Sequence, residues 1–280
     1  MPASAGNWGS ESRQLLLYFA LAFGITWGIG GVCLFVPSIV TTFSRWPAAT
    51  NPLFYAAVYA PTLSAVMVTA LSGGTAGLRR LFSRLSPWRA GIGWYVLVLI
   101  GYPAAGLLAG RVAGLAGAPQ GCGVNWLSLY PALVPALVVD PGPLGEELGW
   151  RGFALPRMLR RWTPLTATII LGVVWGLWHL PAFFIPGLPQ TRWAIPALLI
   201  GTVSVSVLDT WIFLRSRGGV LVPLLVHLMM NHAFKSLCLS PSVTVIIGVV
   251  SAAAVLLAGG LRTRSLDEPS NREDRSPSPS

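Results

Sequence analysis

The feature that most restricts the fold of this chain is a series of long apolar stretches with almost no charge inside them. Positions 14–261 contain only four acidic residues, which are Asp140, Glu146, Glu147 and Asp209. Over the whole chain 54% of residues are hydrophobic and 10% are charged, whereas about a quarter of the residues in a soluble domain are charged. This composition excludes an ordinary soluble domain and predicts a membrane protein.

The lengths of the apolar stretches predict the architecture. A helix needs about 20 apolar residues to cross the hydrocarbon core of a bilayer. Seven stretches near that length, and one interrupted by prolines, predict an all-α polytopic transmembrane helical bundle of about eight spans within a membrane domain at 1–261. The predicted spans are 14–36, 52–72, 92–113, 124–140, 165–185, 194–214, 219–235 and 242–261. The polar, Pro- and Ser-rich segment 262–280 predicts a disordered cytoplasmic tail.

Basic residues beside these spans predict how the bundle is oriented. With the N-terminus inside, thirteen Arg residues fall on the inner side, and three Arg and one Lys fall on the outer side. Because cytoplasmic loops are enriched in Lys and Arg, this distribution places both termini in the cytoplasm. The excess of Arg over Lys is typical of a GC-rich genome and favours a bacterial inner membrane.

Composition also excludes several kinds of function. The net charge of +10 is explained by topology signals between the spans, so we expect no nucleic-acid partner. The single lysine, Lys235, follows Phe234, whereas the lysine of a phosphate-binding loop follows glycine. This excludes a nucleotide-driven pump with such a loop in this chain. Cys33, Cys122 and Cys238 are too widely separated to suggest a disulfide framework or a thiolate metal site. The sequence does not indicate an oligomeric state.

The first polar motif is GEELGWRG at 145–152, one residue after the helix breaker DPGP at 140–143. If this segment is helical, Glu147 and Arg151 are one turn apart and can form an ion pair, while Glu146 points about 100° away. The two adjacent carboxylates then have different tasks: Glu147 is neutralised by the guanidinium, and Glu146 is available to take a proton.

The histidines provide two further motifs on later spans. His179 lies in WGLWHLP one turn after Trp175, and His227 lies one turn before Asn231 in HLMMN. Residues four apart share one face of a helix. We therefore expect Glu146, His179, His227 and Asn231 to converge on one buried pocket, and we assign Asp209 a structural role in the sixth span.

These residue types are suited to hydrolysis. A glutamate in a low-dielectric site is a stronger base, because burial disfavours its ionised form. An imidazole can share the attacking water, and an Asn amide with a neighbouring His can donate hydrogen bonds to an oxyanion. Alternatively, Glu146, His179 and His227 could hold a zinc ion with a fourth position left for water. The residues alone do not decide between these two mechanisms.

The pattern Glu-Glu-x-x-x-Arg, aromatic-x-x-x-His and His-x-x-x-Asn on successive membrane helices resembles the CPBP family. This family includes type II CAAX-prenyl endopeptidases and the bacteriocin-processing or immunity proteins called Abi proteins. The resemblance covers about 140–235, which is the expected catalytic core. Trp175 stands where the family usually has Phe, a change expected to alter pocket shape more than chemistry.

The resemblance implies an intramembrane endopeptidase that acts on a membrane-associated, prenylated or leader peptide. It implies Glu146 as general base, His179 as its partner at the water, and His227 with Asn231 as the polarising group. Glu147 and Arg151 are then supporting residues, and the cofactor is zinc or none. Two alternatives stay open, namely a non-catalytic immunity or scaffold protein and a proton-coupled transporter.

Overall fold

The structure is a computed structural model, and among the residues it describes the regular elements are all helical. It describes residues 5–36, 52–86, 90–115, 131, 133, 135, 136, 140–236 and 240–262. The α-helices in chain order are α1 (Ala5–Phe35), α2 (Pro52–Val58), α3 (Ala60–Phe82), α4 (Ile92–Val96), α5 (Tyr102–Leu115), α6 (Pro141–Glu147), α7 (Leu155–Leu159), α8 (Pro164–Trp178), α9 (Ile195–Arg215), α10 (Leu221–Ser236) and α11 (Pro241–Leu257). Two π-helical segments, π1 (Leu97–Gly101) and π2 (Leu148–Ala154), join α4 to α5 and α6 to α7.

Three of these helices begin with the same local signal, a capping residue followed by proline. Asp140, Thr163 and Ser240 each stand directly before a proline, and the side-chain oxygen of each accepts a hydrogen bond from a backbone N–H of the first turn. Proline suits the first helical position because its missing N–H would have no partner there. The DPGP sequence, expected to act as a breaker, therefore begins α6.

The prediction of a helical membrane protein agrees with these elements, but the number of spans is not confirmed. In the described part of the chain, Ser10–Phe35 and Ile195–Arg215 are long and apolar enough to cross a membrane, and the bent pair Pro52–Val58 and Ala60–Leu85 adds a third if it forms one span. Shorter apolar helices cover Ile92–Leu108, Pro164–Trp178, Leu221–His232 and Pro241–Leu257. The expected span 124–140 and the expected tail at 262–280 lie largely outside the described residues.

Prolines account for two of the differences from the expected spans. The stretch 52–72 is split at Tyr59, where the chain bends by 57° and Pro61 enters the first turn of α3. The stretch 165–185 remains α-helical only to Trp178, since Pro181 follows and a 3₁₀ turn covers Leu180–Phe183. A proline cannot donate the backbone hydrogen bond that a continuing helix needs, so each apolar run is divided.

The continuous helical segment from α6 through π2 to α7 lies at the centre of the described bundle. It contacts α2, α3, α8, α9 and α10, and every residue of π2 is buried. Gly145 and Gly149 allow α6 and π2 to approach the α2–α3 junction closely. A Cβ atom on Gly149 would lie 2.6 Å from the backbone carbonyl of Pro61, and one on Gly145 would lie 2.8 Å from the carbonyl oxygen of Val58. The motif GEELGWRG is therefore fixed in place by backbone contact.

Candidate active site

All four residues expected to be catalytic line one cavity of about 570 Å³, namely Glu146, His179, His227 and Asn231. They come from α6, the end of α8 and α10. Most of the remaining wall is apolar, with contributions that include Ile29, Phe54, Ile185, Leu198 and Val245. The polar groups are thus gathered at one part of a largely hydrophobic chamber, which is the usual character of a small-molecule or peptide site.

Glu146 lies in this cavity and is only 4% exposed. Its Oε2 accepts a hydrogen bond of 2.6 Å from the indole Nε1–H of Trp175 on α8. An indole can only donate, so this bond fixes one carboxylate oxygen of Glu146. The other oxygen, Oε1, is left for a ligand or a water molecule in the cavity.

Glu147 and Arg151 lie behind the cavity wall in a fully buried charge network. Arg151 Nη1 donates to Glu147 Oε1 at 2.8 Å, as the one-turn spacing predicts. Its Nη2 lies 3.0 Å from Asp209 Oδ2 and donates to Ser206 Oγ at 3.2 Å. The side chains of Glu147, Arg151 and Asp209 are 0% exposed. Each charge in this network is thus compensated by direct contact, as burial in a low-dielectric interior requires.

The Glu147 carboxylate also orients His227. Glu147 Oε1 lies 2.9 Å from His227 Nδ1. Because a carboxylate only accepts hydrogen bonds, Nδ1 carries the proton in this contact, which leaves Nε2 as the nitrogen available to the cavity. A carboxylate that holds a histidine ring in this way is a common device for fixing an imidazole in an active site.

Asn231 is held by a residue outside the expected motifs. Its Nδ2 donates to Asp140 Oδ2 at 3.1 Å, while Asp140 Oδ1 accepts the backbone N–H of Gly142 at 3.1 Å. Asp140 thus links the start of α6 to α10. A Cβ atom on Gly142 would lie 3.1 Å from Asn231 Nδ2 and 3.4 Å from His227 Nε2. The absence of a side chain at position 142 therefore keeps these two groups accessible.

His179 occupies the C-terminal cap position of α8, at the edge of the same cavity. Its Nδ1 lies 2.9 Å from the backbone carbonyl oxygen of Trp175. Since a carbonyl oxygen accepts, Nδ1 is the donor and Nε2 of the neutral ring is an acceptor. The ring packs edge-on against Trp178 with centroids 4.8 Å apart. Both backbone and aromatic contacts therefore restrict its orientation.

The expected zinc ligands do not form a metal-binding group in this geometry. Among the described residues, no three His, Cys, Asp or Glu side chains are grouped closely enough to hold a metal ion. Glu146 and His227 each have one atom engaged with a neighbouring side chain, Trp175 and Glu147 respectively. Glu146 Oε1 and Nε2 of His179 and His227 are the donor atoms left for zinc, and zinc ligands commonly use their other atom in a supporting hydrogen bond, so zinc binding stays a prediction.

Sequence reasoning identified the residues around the cavity but not all of their partners. Asp140 could have been singled out as one of four acidic residues among the apolar stretches, and its position before Pro141 was a visible capping signal. The hydrogen bond from Trp175 gave no such signal, because it depends on how α8 packs against α6. Asp209, expected to be structural, pairs with Arg151.

Comparisons with known proteins point to one family. Residues 125–233 match the family model described as type II CAAX prenyl endopeptidase Rce1-like. CAAX prenyl protease 2 of Methanococcus maripaludis is 28% identical over 121 residues, which are 40% of this chain and 45% of that relative. The chain thus aligns with less than half of the relative's length. All three polar motifs fall inside the matched range, and the type II CAAX endopeptidase part of the family resemblance is confirmed.

Proposed function

Because this integral membrane protein carries an Rce1-like CAAX prenyl endopeptidase domain at 125–233, we propose that it is an intramembrane endopeptidase. In this proposal it hydrolyses a peptide bond of a membrane-associated peptide with a water molecule activated by glutamate and histidine. The observation that carries the proposal is the shared cavity, in which Glu146, His179, His227 and Asn231 face a chamber with mostly apolar walls.

Water activation is assigned to Glu146 and His179. Trp175 occupies Oε2 of Glu146, so Oε1 takes one proton from the attacking water. His179 uses its Nδ1–H on the Trp175 carbonyl, so its Nε2 accepts the second hydrogen of that water and orients it. The hydroxide equivalent then attacks the scissile carbonyl carbon, and protonated Glu146 delivers its proton to the departing amine.

Stabilisation of the tetrahedral intermediate is assigned to His227 and Asn231. In its protonated form, which the neighbouring Glu147 carboxylate favours, His227 donates through Nε2. Asn231 uses one amide N–H on Asp140, and its second N–H remains for the substrate oxygen. Donors arranged before the reaction around a developing oxyanion are typically worth about 3–4 kcal/mol each in transition-state stabilisation.

The walls of the cavity favour a substrate with a large apolar part. The residues that line it include no Lys or Arg among the described positions, and their apolar side chains suit an isoprenoid chain or an apolar peptide segment. Prenylated C-terminal peptides are therefore the first class to test, in line with the name of the relative, CAAX prenyl protease 2. Bacteriocin leaders and other membrane-protein tails are the second class.

The location included in this proposal is a bacterial inner membrane with both termini cytoplasmic. Its support is the excess of Arg on one side of the apolar stretches. The substrate peptide and the lipid bilayer are the partners this location requires.

The decisive test is Glu146→Gln in purified protein reconstituted in liposomes. The probe is a fluorogenic peptide with a prenylated CAAX terminus, and the cleavage site is read by mass spectrometry. Because the amide cannot take the proton from water, we expect kcat to fall by about 10²–10⁴-fold. The matched control is Glu11→Gln, whose carboxylate pairs with Arg160 outside the cavity and should leave kcat unchanged.

The alternatives give different results in the same experiment. Retained cleavage in the Glu146→Gln protein would remove Glu146 as the base. A scaffold or immunity protein yields no cleavage product in any variant, and a transporter shows Glu146-dependent solute or proton flux without proteolysis. The metal content of the purified protein, compared with that of His179→Ala, tests the zinc mechanism separately.

A further inference from the structure

Trp175 contacts residues of all three polar motifs. Its indole Nε1–H donates to Glu146 Oε2 at 2.6 Å, and its backbone carbonyl accepts from His179 Nδ1 at 2.9 Å. Its ring lies edge-on to His227 with centroids 5.6 Å apart, and the Arg151 guanidinium carbon lies 4.4 Å from the ring centroid. One buried side chain thus stands between the acid, the two histidines and the charge network behind them.

Resting on the function proposed above, we propose that Trp175 is a positioning residue that holds the Glu146 carboxylate in its working orientation. The donated hydrogen bond occupies Oε2 and leaves Oε1 for the attacking water. The indole itself has little freedom, because it is 2% exposed and is packed against His227 and Arg151. A phenylalanine at this position would keep most of the ring contacts but could not donate this hydrogen bond.

The energetic consequence follows from burial. A carboxylate in a low-dielectric cavity gains more from a hydrogen bond than one in water, and bonds to charged groups are the stronger class. Without the indole N–H, the Glu146 carboxylate can rotate about its terminal torsion, which is broad for glutamate. The orientation that points Oε1 of Glu146 at the attacking water then becomes one of several orientations of the carboxylate. The loss therefore falls on the chemical step and leaves the apolar substrate walls intact.

The test compares Trp175→Phe with Trp178→Phe. Trp178 also lines the cavity, but its Nε1–H donates to the Thr26 hydroxyl at 2.8 Å, so the same substitution removes an indole donor that does not reach the acid. With the prenylated fluorogenic CAAX peptide in liposomes, we expect Trp175→Phe to lower kcat by about 10–100-fold with KM nearly unchanged. Trp178→Phe loses only the bond to Thr26 and keeps most of its ring contact with His179, so it should lower kcat less than Trp175→Phe. Trp94→Phe, which packs against Trp211 outside the cavity, should retain wild-type kcat. Equal kcat values for Trp175→Phe and wild type would overturn the proposal.

A second measurement follows the hydrogen bond without relying on activity. In protein labelled with ¹⁵N at the indole nitrogens, the Trp175 Nε1–H resonance is assigned by its absence from the Trp175→Phe spectrum. We expect Glu146→Gln to move this resonance more than any other indole signal, because the charged acceptor is lost. A Trp175 signal that does not respond to Glu146→Gln would refute the contact.

The two measurements distinguish failure of this inference from failure of the proposed function. If Glu146→Gln retains cleavage, the assignment of the base is wrong whatever Trp175 does. If Glu146→Gln is inactive while Trp175→Phe equals wild type, the base stands and the positioning role falls. If Trp175→Phe and Trp178→Phe lose kcat equally, the effect is one of packing in the cavity wall, which also overturns the specific role of Trp175.

Discussion

Replacement of Arg151 by methionine tests whether the charge network behind the cavity holds the bundle together. Arg151 lies within 2.8 Å of Glu147 and 3.0 Å of Asp209, and all three side chains are 0% exposed. Arg151→Met keeps much of the side-chain volume but leaves the buried Asp209 without a cation and Glu147 with His227 as its remaining charged partner. Breaking a buried ion pair by removing one partner typically destabilises by about 3–5 kcal/mol. That is a large part of a usual unfolding free energy of about 5–15 kcal/mol.

The second substitution in this test is Asp209→Asn, which removes the carboxylate charge that Arg151→Met leaves without a cation. Alone, it leaves Arg151 paired with Glu147, so we expect a loss of about 1 kcal/mol. Combined with Arg151→Met, it leaves only Glu147, which still contacts His227. The double variant should therefore be more stable than Arg151→Met by at least about 1 kcal/mol, although it carries one more substitution.

The assay is denaturant unfolding in mixed detergent and lipid micelles, followed by the fluorescence of the 12 tryptophans. Arg215→Met is the matched control. Arg215 is exposed at the end of α9, and its guanidinium carbon lies 5.3 Å from the centroid of the Trp211 ring. We expect less than about 1 kcal/mol of change for this control. Additive effects of Arg151→Met and Asp209→Asn would refute the electrostatic coupling, and so would an Arg151→Met protein as stable as the Arg215→Met control.

Two further predictions concern the frame of the site. Gly149→Ala should reduce the unfolding free energy by about 3 kcal/mol, at the upper end for overpacking, because its Cβ would lie 2.6 Å from the Pro61 backbone. The control Gly28→Ala has open space around the new methyl group and should change the thermal midpoint little. Equal midpoints for the two variants would contradict the close contact between Gly149 and Pro61. Asp140→Asn keeps an oxygen for the helix cap but presents an N–H₂ group to Asn231. We therefore expect kcat to fall by about tenfold while the melting temperature stays unchanged. A wild-type kcat would show that Asn231 does not need a carboxylate partner.

The parts of the site that the sequence predicted are those set by spacing along one helix. The four-residue interval predicted the ion pair between Glu147 and Arg151, and it placed His227 and Asn231 on one face of α10. The hydrogen bond from Asn231 to Asp140 and the one from the Trp175 indole to Glu146 instead connect different helices. Such contacts depend on how α6, α8 and α10 pack, which a pattern in one chain does not define. The catalytic roles themselves stay predictions until the variants are assayed.

The fold, like the site, was predicted from the sequence only in part. Within the part of the chain that the structure describes, long apolar runs predicted helices correctly, since burial of an apolar stretch in a membrane leaves few alternatives to helical hydrogen bonding. The span count was less accessible, because prolines and π-helical turns divide the runs. The stretch 92–113 illustrates this, as it contains the π-helical segment Leu97–Gly101 between two α-helices. Where a run is divided, its length no longer gives the length of one straight helix.

The π2 segment has a consequence for which changes of chain length the protein tolerates. A π turn contains more residues than an α turn over the same rise, so loss of one codon between positions 148 and 154 would restore regular α geometry. The same loss in the regular α turn of α6 would instead rotate everything downstream by about 100°. Arg157 would then swing away from Gln14, which it contacts at 3.0 Å. In a library of single-residue insertions and deletions, we therefore expect a deletion within π2 to be tolerated better than one within α6, whereas side-chain exchanges in π2 remain costly because every residue there is buried.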